Sequence, residues 1–249
     1  MRRPRADSPV FVLLVVLGGA CSPSVQPIVV APGCPDEPLR GPDQYAGEPA
    51  ELLIADFEPD PAANSDGGVQ STGCSEKLHE IAGRDGSWAR ARDLTSKSVT
   101  FEASTACAAR GQCAGHFATS TPTGWGNNWT AYFRSGNGAY DASAYSGVSF
   151  WAAFGGDNGP DFAVPFGIVT TDTAPNSSLC GNNCGDDYMK GVELTHDWQR
   201  YVLRFDDPKL VQKGWGAVQT PLRRDQLVGF IIWTQQQSDI WIDDVRFEP

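Results

Sequence analysis

The stretch DIWIDDVRF, Asp239–Phe247, alternates apolar and polar side chains, but in two phases. Ile240 and Ile242 share one parity; Val245 and Phe247 share the other. Successive side chains of a β-strand point to opposite faces, so both pairs reach one core only if the strand slips by a residue at Asp243–Asp244. Such a slip is a β-bulge, a device that re-aims side chains at a site. The same period of two recurs upstream. Phe162, Val164, Phe166 and Ile168 alternate, as do Tyr201, Leu203 and Phe205; Val148, Phe150, Ala152 and Val228, Phe230, Ile232 repeat the pattern. Each run reads as a half-buried strand, and Gly, Asn, Asp and Pro separate the runs. Sustained helical periodicity is missing, the best candidate being one turn near Pro221–Gln226. Residues 51–249 are therefore expected to form a single all-β antiparallel sandwich, a jelly roll.

Ahead of that domain the composition changes. Residues 21–50 hold Pro23, Pro27, Pro32, Pro35, Pro38, Pro42 and Pro49 with few apolar clusters, the composition of a semi-rigid spacer. Residues 1–20 carry Arg2, Arg3 and Arg5, then the apolar run Val10–Leu17, then Gly18, Gly19 and Ala20 before Cys21. A membrane-spanning helix takes ~20 apolar residues, so this shorter run reads as the core of a secretory signal peptide. LGGAC resembles the lipobox of bacterial lipoproteins, with Gly18 where an aliphatic residue is usual. The resemblance implies lipidation at Cys21, so that acyl chains attach an exported protein to the bacterial envelope, at the outer membrane or cell surface.

With Cys21 lipidated, Cys34, Cys74, Cys107, Cys113, Cys180 and Cys184 remain. An even count in an oxidising compartment reads as disulfides. Spacing suggests Cys107–Cys113 and Cys180–Cys184 as loop staples, which leaves Cys34–Cys74. Neither CAARGQC nor CGNNC has the spacing of a zinc site.

The chain has 19 Lys+Arg and 30 Asp+Glu, and loss of residues 1–20 leaves a net charge of −13. Such a surface repels nucleic acid and acidic polymers, and favours divalent cations and neutral ligands.

Seven segments carry a family resemblance: IADFE (Ile54–Glu58), GRDGSW (Gly83–Trp88), GWGNNW (Gly124–Trp129), YDASAYSGVSFWA (Tyr140–Ala152), DWQRYVLRF (Asp197–Phe205), QKGWG (Gln212–Gly216) and DIWIDDVRF. In this order they resemble the galactose-binding-like jelly-roll domains of secreted bacterial carbohydrate-binding modules. The resemblance implies first and last strands side by side, with a structural calcium near their meeting point. It places Glu58 and Asp243 as ligands, with Asp56 and Asp93 as further candidates. Calcium takes ~6–8 oxygen ligands, which carboxylates and carbonyls supply. The alternative is that these carboxylates are solvated charges on strand ends.

The resemblance also directs attention to tryptophan, of which there are eight. Sugar faces stack on aromatic rings while neighbouring polar groups bond the hydroxyls. Trp125, Trp129 and Trp215 sit among Gly and Asn and are expected on exposed loops. Trp151 and Trp198 have the parity opposite to their strands' aliphatic faces, and Arg200 and Arg204 share the parity of Trp198. Asp186, Asp187 and Tyr188 follow the CGNNC loop near the same expected face, and Tyr188 joins the candidate ligand contacts. A large sandwich buries most of its tryptophans, so each ring is also a candidate for the core.

His79, His116 and His196 stand in no metal or catalytic-triad signature. The sequence reading is thus a non-catalytic, calcium-stabilised surface domain that binds a polysaccharide or oligosaccharide. Its rivals are a structural or protein-interaction lipoprotein of the envelope, and a glycoside hydrolase with an unrecognised carboxylate pair.

Overall fold

The computed structural model describes residues 49–59, 73–155, 162–175, 178 and 180–249. The signal peptide, Cys21, Cys34 and the spacer up to residue 48 lie outside the described residues. Among the described residues eleven strands, β1 to β11, form two antiparallel sheets. The first sheet runs β3 (Val99–Ser104), β4 (Ala114–Thr119), β11 (Ser238–Glu248), β6 (Gly147–Phe154), β9 (Gln199–Arg204), with β1 (Leu53–Ala55) also on β11. The second runs β2 (Trp88–Ala91), β5 (Asn127–Tyr132), β10 (Leu227–Thr234), β7 (Val164–Thr170), β8 (Tyr188–Val192). Three short 3-10 turns are the helical elements among the described residues. This is the expected all-β sandwich, and the first and last strands do lie side by side.

Alternation decides which side chains meet between the sheets. Val148, Phe150, Ala152, Val164, Phe166, Ile168, Leu203, Phe230 and Ile232 are all buried in one core. In β11 the register against β6 shifts between Asp243 and Arg246, and Asp244 takes a positive φ of 51°. The shift turns Val245 and Phe247 into the same core as Ile240 and Ile242. Val228 departs from expectation. The β10–β7 register shifts between Leu227 and Gly229, so Leu227 enters the main core and Val228 packs with Val169, Ala174 and Ile231.

One end of the core is an aromatic stack. Phe57 lies against Trp88 and Trp129, at 5.4 and 5.7 Å between ring centroids, and Trp88 and Trp129 are 4.5 Å apart. Gly115 of β4 is required beneath it, since a Cβ there would stand 2.6 Å from the Phe57 ring and 2.8 Å from Trp129. Outside the first sheet a smaller apolar layer joins Cys107, Ala109, Ala114, Ala153, Trp198 and Trp241, with Trp151 against it. Trp151 and Trp198 therefore do point away from the main core, but the 107–109 segment packs with them rather than leaving them open to solvent.

The disulfides differ from the expected pairing in part. Cys180–Cys184 forms as expected, but Cys74 bonds to Cys113, neither to Cys34 nor within the 107–113 loop. Cys107 is disulfide-bonded too, and not to Cys113. The reason is the loop before β4. The Glu58 carboxylate accepts the N–H groups of Gln112 and Cys113, which brings Cys113 to the chain leaving β1. There Ser75, next to Cys74, donates its N–H to the Phe57 carbonyl. Closing this 39-residue separation restricts the unfolded chain by about 4 kcal/mol in the chain-entropy account.

Candidate functional site

The side chains of the five-stranded sheet that miss the core form the floor of a groove. Asn128, Thr130 and Tyr132 of β5, Ile231 and Trp233 of β10, Val169 of β7 and Met189 of β8 line a cavity of about 680 Å³. Two loops raise its rims. One carries Trp125, 50% exposed, and the other Trp215, 56% exposed. Both rings stand well above the exposure usual for so large an apolar side chain.

Each rim is tied down by one buried aspartate. Asp93 Oδ2 accepts the Gly126 N–H at 3.1 Å, and Oδ1 accepts the N–H and hydroxyl of Thr95 at 2.9 and 2.6 Å. The Thr95 hydroxyl bond, then the N–H bonds of Thr95 and Gly126, hold the Asp93 carboxyl below its usual range. The Trp233 indole N–H donates to the Trp125 carbonyl at 3.1 Å, and the Gln235 amide donates to the Gly124 carbonyl. Gly126 turns at φ 107°, a region that suits glycine. On the other rim Asp186 accepts N–H groups from Lys213 (2.9 Å), Gly214 (2.9 Å) and Gly216 (3.0 Å), and the Gln219 amide (2.8 Å). Burial by itself would raise the Asp186 carboxyl, but these donors outweigh it and hold it low. Lys213 places its ammonium 5.1 Å from the Trp233 ring centre, so the Trp215 loop reaches the floor residue whose indole N–H holds the Trp125 loop.

Asp187, the next residue, is different. It lines the groove but is only 6% exposed, and its Oδ1 accepts one bond, from the Thr173 hydroxyl at 2.5 Å. Burial pushes it up to about 7; the Thr173 bond opposes that and the negative charge of Asp186 adds to it.

Of the residues the sequence nominated for ligand contact, the structure brings together Trp125 and Trp215. Trp129 is a correction: it sits at 0% exposure in the aromatic stack, because its parity within β5 points it inward while Asn128 and Thr130 point out. Tyr188 is also buried; its ring joins the core and its hydroxyl donates to the Thr220 carbonyl at 2.5 Å. Arg200 and Arg204 belong to β9, on the other sheet, where Arg200 pairs with Glu248 and Arg204 with Asp206 at 3.0 Å. They cannot join Trp125 and Trp215 in one site. Trp233 and Tyr132 were not singled out, although Trp233 has the parity opposite to Phe230 and Ile232.

The acidic candidates also divide. Glu58 and Asp243 meet at the 110–113 turn, where Asp243 Oδ2 accepts the Arg110 N–H at 2.9 Å. Asp243 Oδ1 accepts the Asp244 N–H at 2.7 Å. Burial raises the Asp243 carboxyl well above its usual range; the Arg110 N–H opposes this, while Asp244 and Asp56 add their charge. Asp56 lies beside them; burial would raise its carboxyl, but the bond to His79 at 2.9 Å, the His79 charge and the backbone N–H groups together hold it low. Asp93 is the second correction: it anchors the Trp125 rim. Backbone conformations at this corner are unusual for non-glycine residues, with φ of 60° at Phe57 and 51° at Asp244. Among the described residues no three His, Cys, Asp or Glu side chains are grouped closely enough to hold a metal by themselves.

No family model matches the sequence, and no curated protein matches it. Solved structures do. The sandwich is similar in fold to carbohydrate-binding modules. One is the family 11 module from Clostridium thermocellum in complex with a β-1,3-1,4-mixed-linked tetrasaccharide, at 12% identity and a TM-score of 0.46, covering 65% of this chain and 88% of that one. Another is the family 30 module of a cellulosomal cellulase of the same organism, at 14% identity and a TM-score of 0.45, covering 65% and 90%. An exo-β-agarase matches at 12% identity and a TM-score of 0.45, over 80% of this chain but 25% of its own.

Proposed function

We propose that this chain is a lipid-anchored envelope protein whose sandwich domain binds a polysaccharide or oligosaccharide without catalysis. The observation that carries the reading is the groove: two exposed indoles fixed on opposite rims, over a floor that mixes aromatic and aliphatic surface with Asn128, Thr130 and Gln235. Stacking needs rigid aromatic faces, and hydroxyl recognition needs amide and hydroxyl partners beside them. A flat apolar patch would favour a protein partner instead, and this surface is neither flat nor uniformly apolar. For hydrolysis two opposed carboxylates are needed, and Asp186 spends its oxygens on holding a loop.

The test is a glycan array on the domain from residue 50 onward, followed by titration calorimetry with whatever binds. Truncating a central stacking ring costs ~2 kcal/mol, so Trp125→Ala and Trp215→Ala should each weaken binding about thirtyfold. Both variants should melt within a degree or two of the parent, because their rings carry little packing. Retention of full affinity by the double variant defeats the assignment.

The same reading includes a structural calcium at Glu58 and Asp243. In its support, Asp243 is a buried carboxylate whose oxygens, among the described residues, meet backbone N–H groups alone. Carboxylates on one turn are donors of the kind calcium accepts, with carbonyls to complete the shell. Bound there, calcium would supply positive charge to a buried acidic corner.

A further inference from the structure

Asp186 and Asp187 are adjacent carboxylates in one groove wall, yet only one of them is answered. Asp186 meets four N–H donors, which stabilise its negative charge. Asp187 meets the Thr173 hydroxyl through Oδ1, and among the described residues nothing bonds its second oxygen. That oxygen belongs to a residue lining the cavity, so a ligand in the groove is the partner within reach. An ionised carboxylate so placed imposes a charge rule on whatever enters, because a like charge a few ångströms away in a partly desolvated site is strongly disfavoured.

We infer that Asp187 is the specificity-determining residue of the groove, admitting neutral glycans, whose hydroxyls bond its second oxygen, and excluding uronate-bearing or sulfated chains. This rests on the glycan-binding reading and deepens it. The rule is set by pH, since burial pushes the Asp187 carboxyl up to about 7. Above that value the carboxylate repels anionic sugars; below it the neutral carboxyl does not. Asp186 is held low, while Tyr132 of β5 and Tyr188 of β8 are both raised by burial from an already high value. Asp172, in the turn after β7, takes the Thr220 hydroxyl, and Cys180 and Cys184 are bonded to each other. Lys213, on the Trp215 loop held by Asp186, turns its ammonium to the Trp233 ring of the floor, 5.1 Å from its centre.

The experiment compares a neutral glycan found on the array with a uronate-bearing or sulfated analogue of the same backbone, at pH 8.5 and pH 5.5. Wild type and Asp187→Asn are measured side by side, with Trp125→Ala as a control for stacking. At pH 8.5 wild type should prefer the neutral chain by about tenfold or more, the scale of one uncompensated charge pair. At pH 5.5 that gap should close, and in Asp187→Asn it should be closed at both pH values. Trp125→Ala should weaken both chains and leave their ratio alone. If the gap is absent at pH 8.5, or ignores both pH and the substitution, the charge rule is wrong while the groove remains a glycan site. Should wild type bind no glycan at either pH, the binding reading itself falls and takes this one with it. Because the wild-type pH series needs no substitution, the inference stays testable even if Asp187→Asn folds poorly.

Discussion

At the scale of single residues, neighbours in sequence have opposite duties. Trp125 and Trp129 are four positions apart in GWGNNW, and the sequence context marks both as loop rings. The difference is the point where β5 begins. Gly126 ends the turn, Asn127 starts the strand, and from there parity sends Trp129 into the stack with Phe57 and Trp88. That start was not legible, because two asparagines and a glycine read as turn when nothing else is known. Trp129→Ala should therefore behave as a core truncation and cost about 3–5 kcal/mol of stability by denaturant melts. A Trp129→Ala domain that melts like its parent would mean that the ring is not packed as described. Asp93 and Asp187 carry the same lesson in acidic form. A carboxylate among Asp, Gly and Thr looks alike in sequence whether it holds a loop, faces a ligand or binds a cation; only its donors distinguish these uses.

Within elements, alternation proved informative and insertions less so. The strands β6, β7 and β9 follow the period of two, with one parity of each in the main core. The β11 bulge was readable too, because a change of phase leaves a trace when both halves are apolar. The bulge at Leu227–Gly229 was hidden: Val228 keeps the parity of Phe230 and Ile232, so the slip has no signature in the pattern. Cysteine pairing failed for a related reason. Which cysteine approaches Cys74 depends on Glu58 drawing in the 110–113 turn, a contact between residues more than fifty positions apart. The calcium proposal belongs to this same corner. A ligand bound by the native state alone adds about 2.7 kcal/mol at a hundredfold excess over its dissociation constant. A chelator should accordingly lower the melting temperature of the calcium-loaded domain, and Asp243→Asn should remove that response. Identical melting with and without chelator would eliminate calcium from this corner.

At the scale of the whole molecule, the sequence places a signal peptide and a spacer ahead of the sandwich. If LGGAC directs lipidation, the domain stands at the end of a proline-rich spacer on a membrane. Cys21→Ser should then move the protein from the membrane fraction to the soluble one, read by fractionation and blotting. Unchanged partition of that variant would refute the anchor without touching the groove. The fold class followed from the sequence because it rests on many short alternating runs that agree with one another. The groove rests on a handful of outward-facing side chains and two loops, and single residues have no such redundancy.

The two rims also have separate histories available to them. One is held through Asp93, Thr95, Trp233 and Gln235, the other through Asp186 and Gln219. They touch where Lys213 lies over Trp233, a contact worth about 0.5–1 kcal/mol at an exposed site. Weak coupling of this kind makes substitutions in the two loops nearly additive. A lineage carrying this domain can therefore mutate one indole-bearing loop, and change what the groove accepts, while selection keeps the other loop intact.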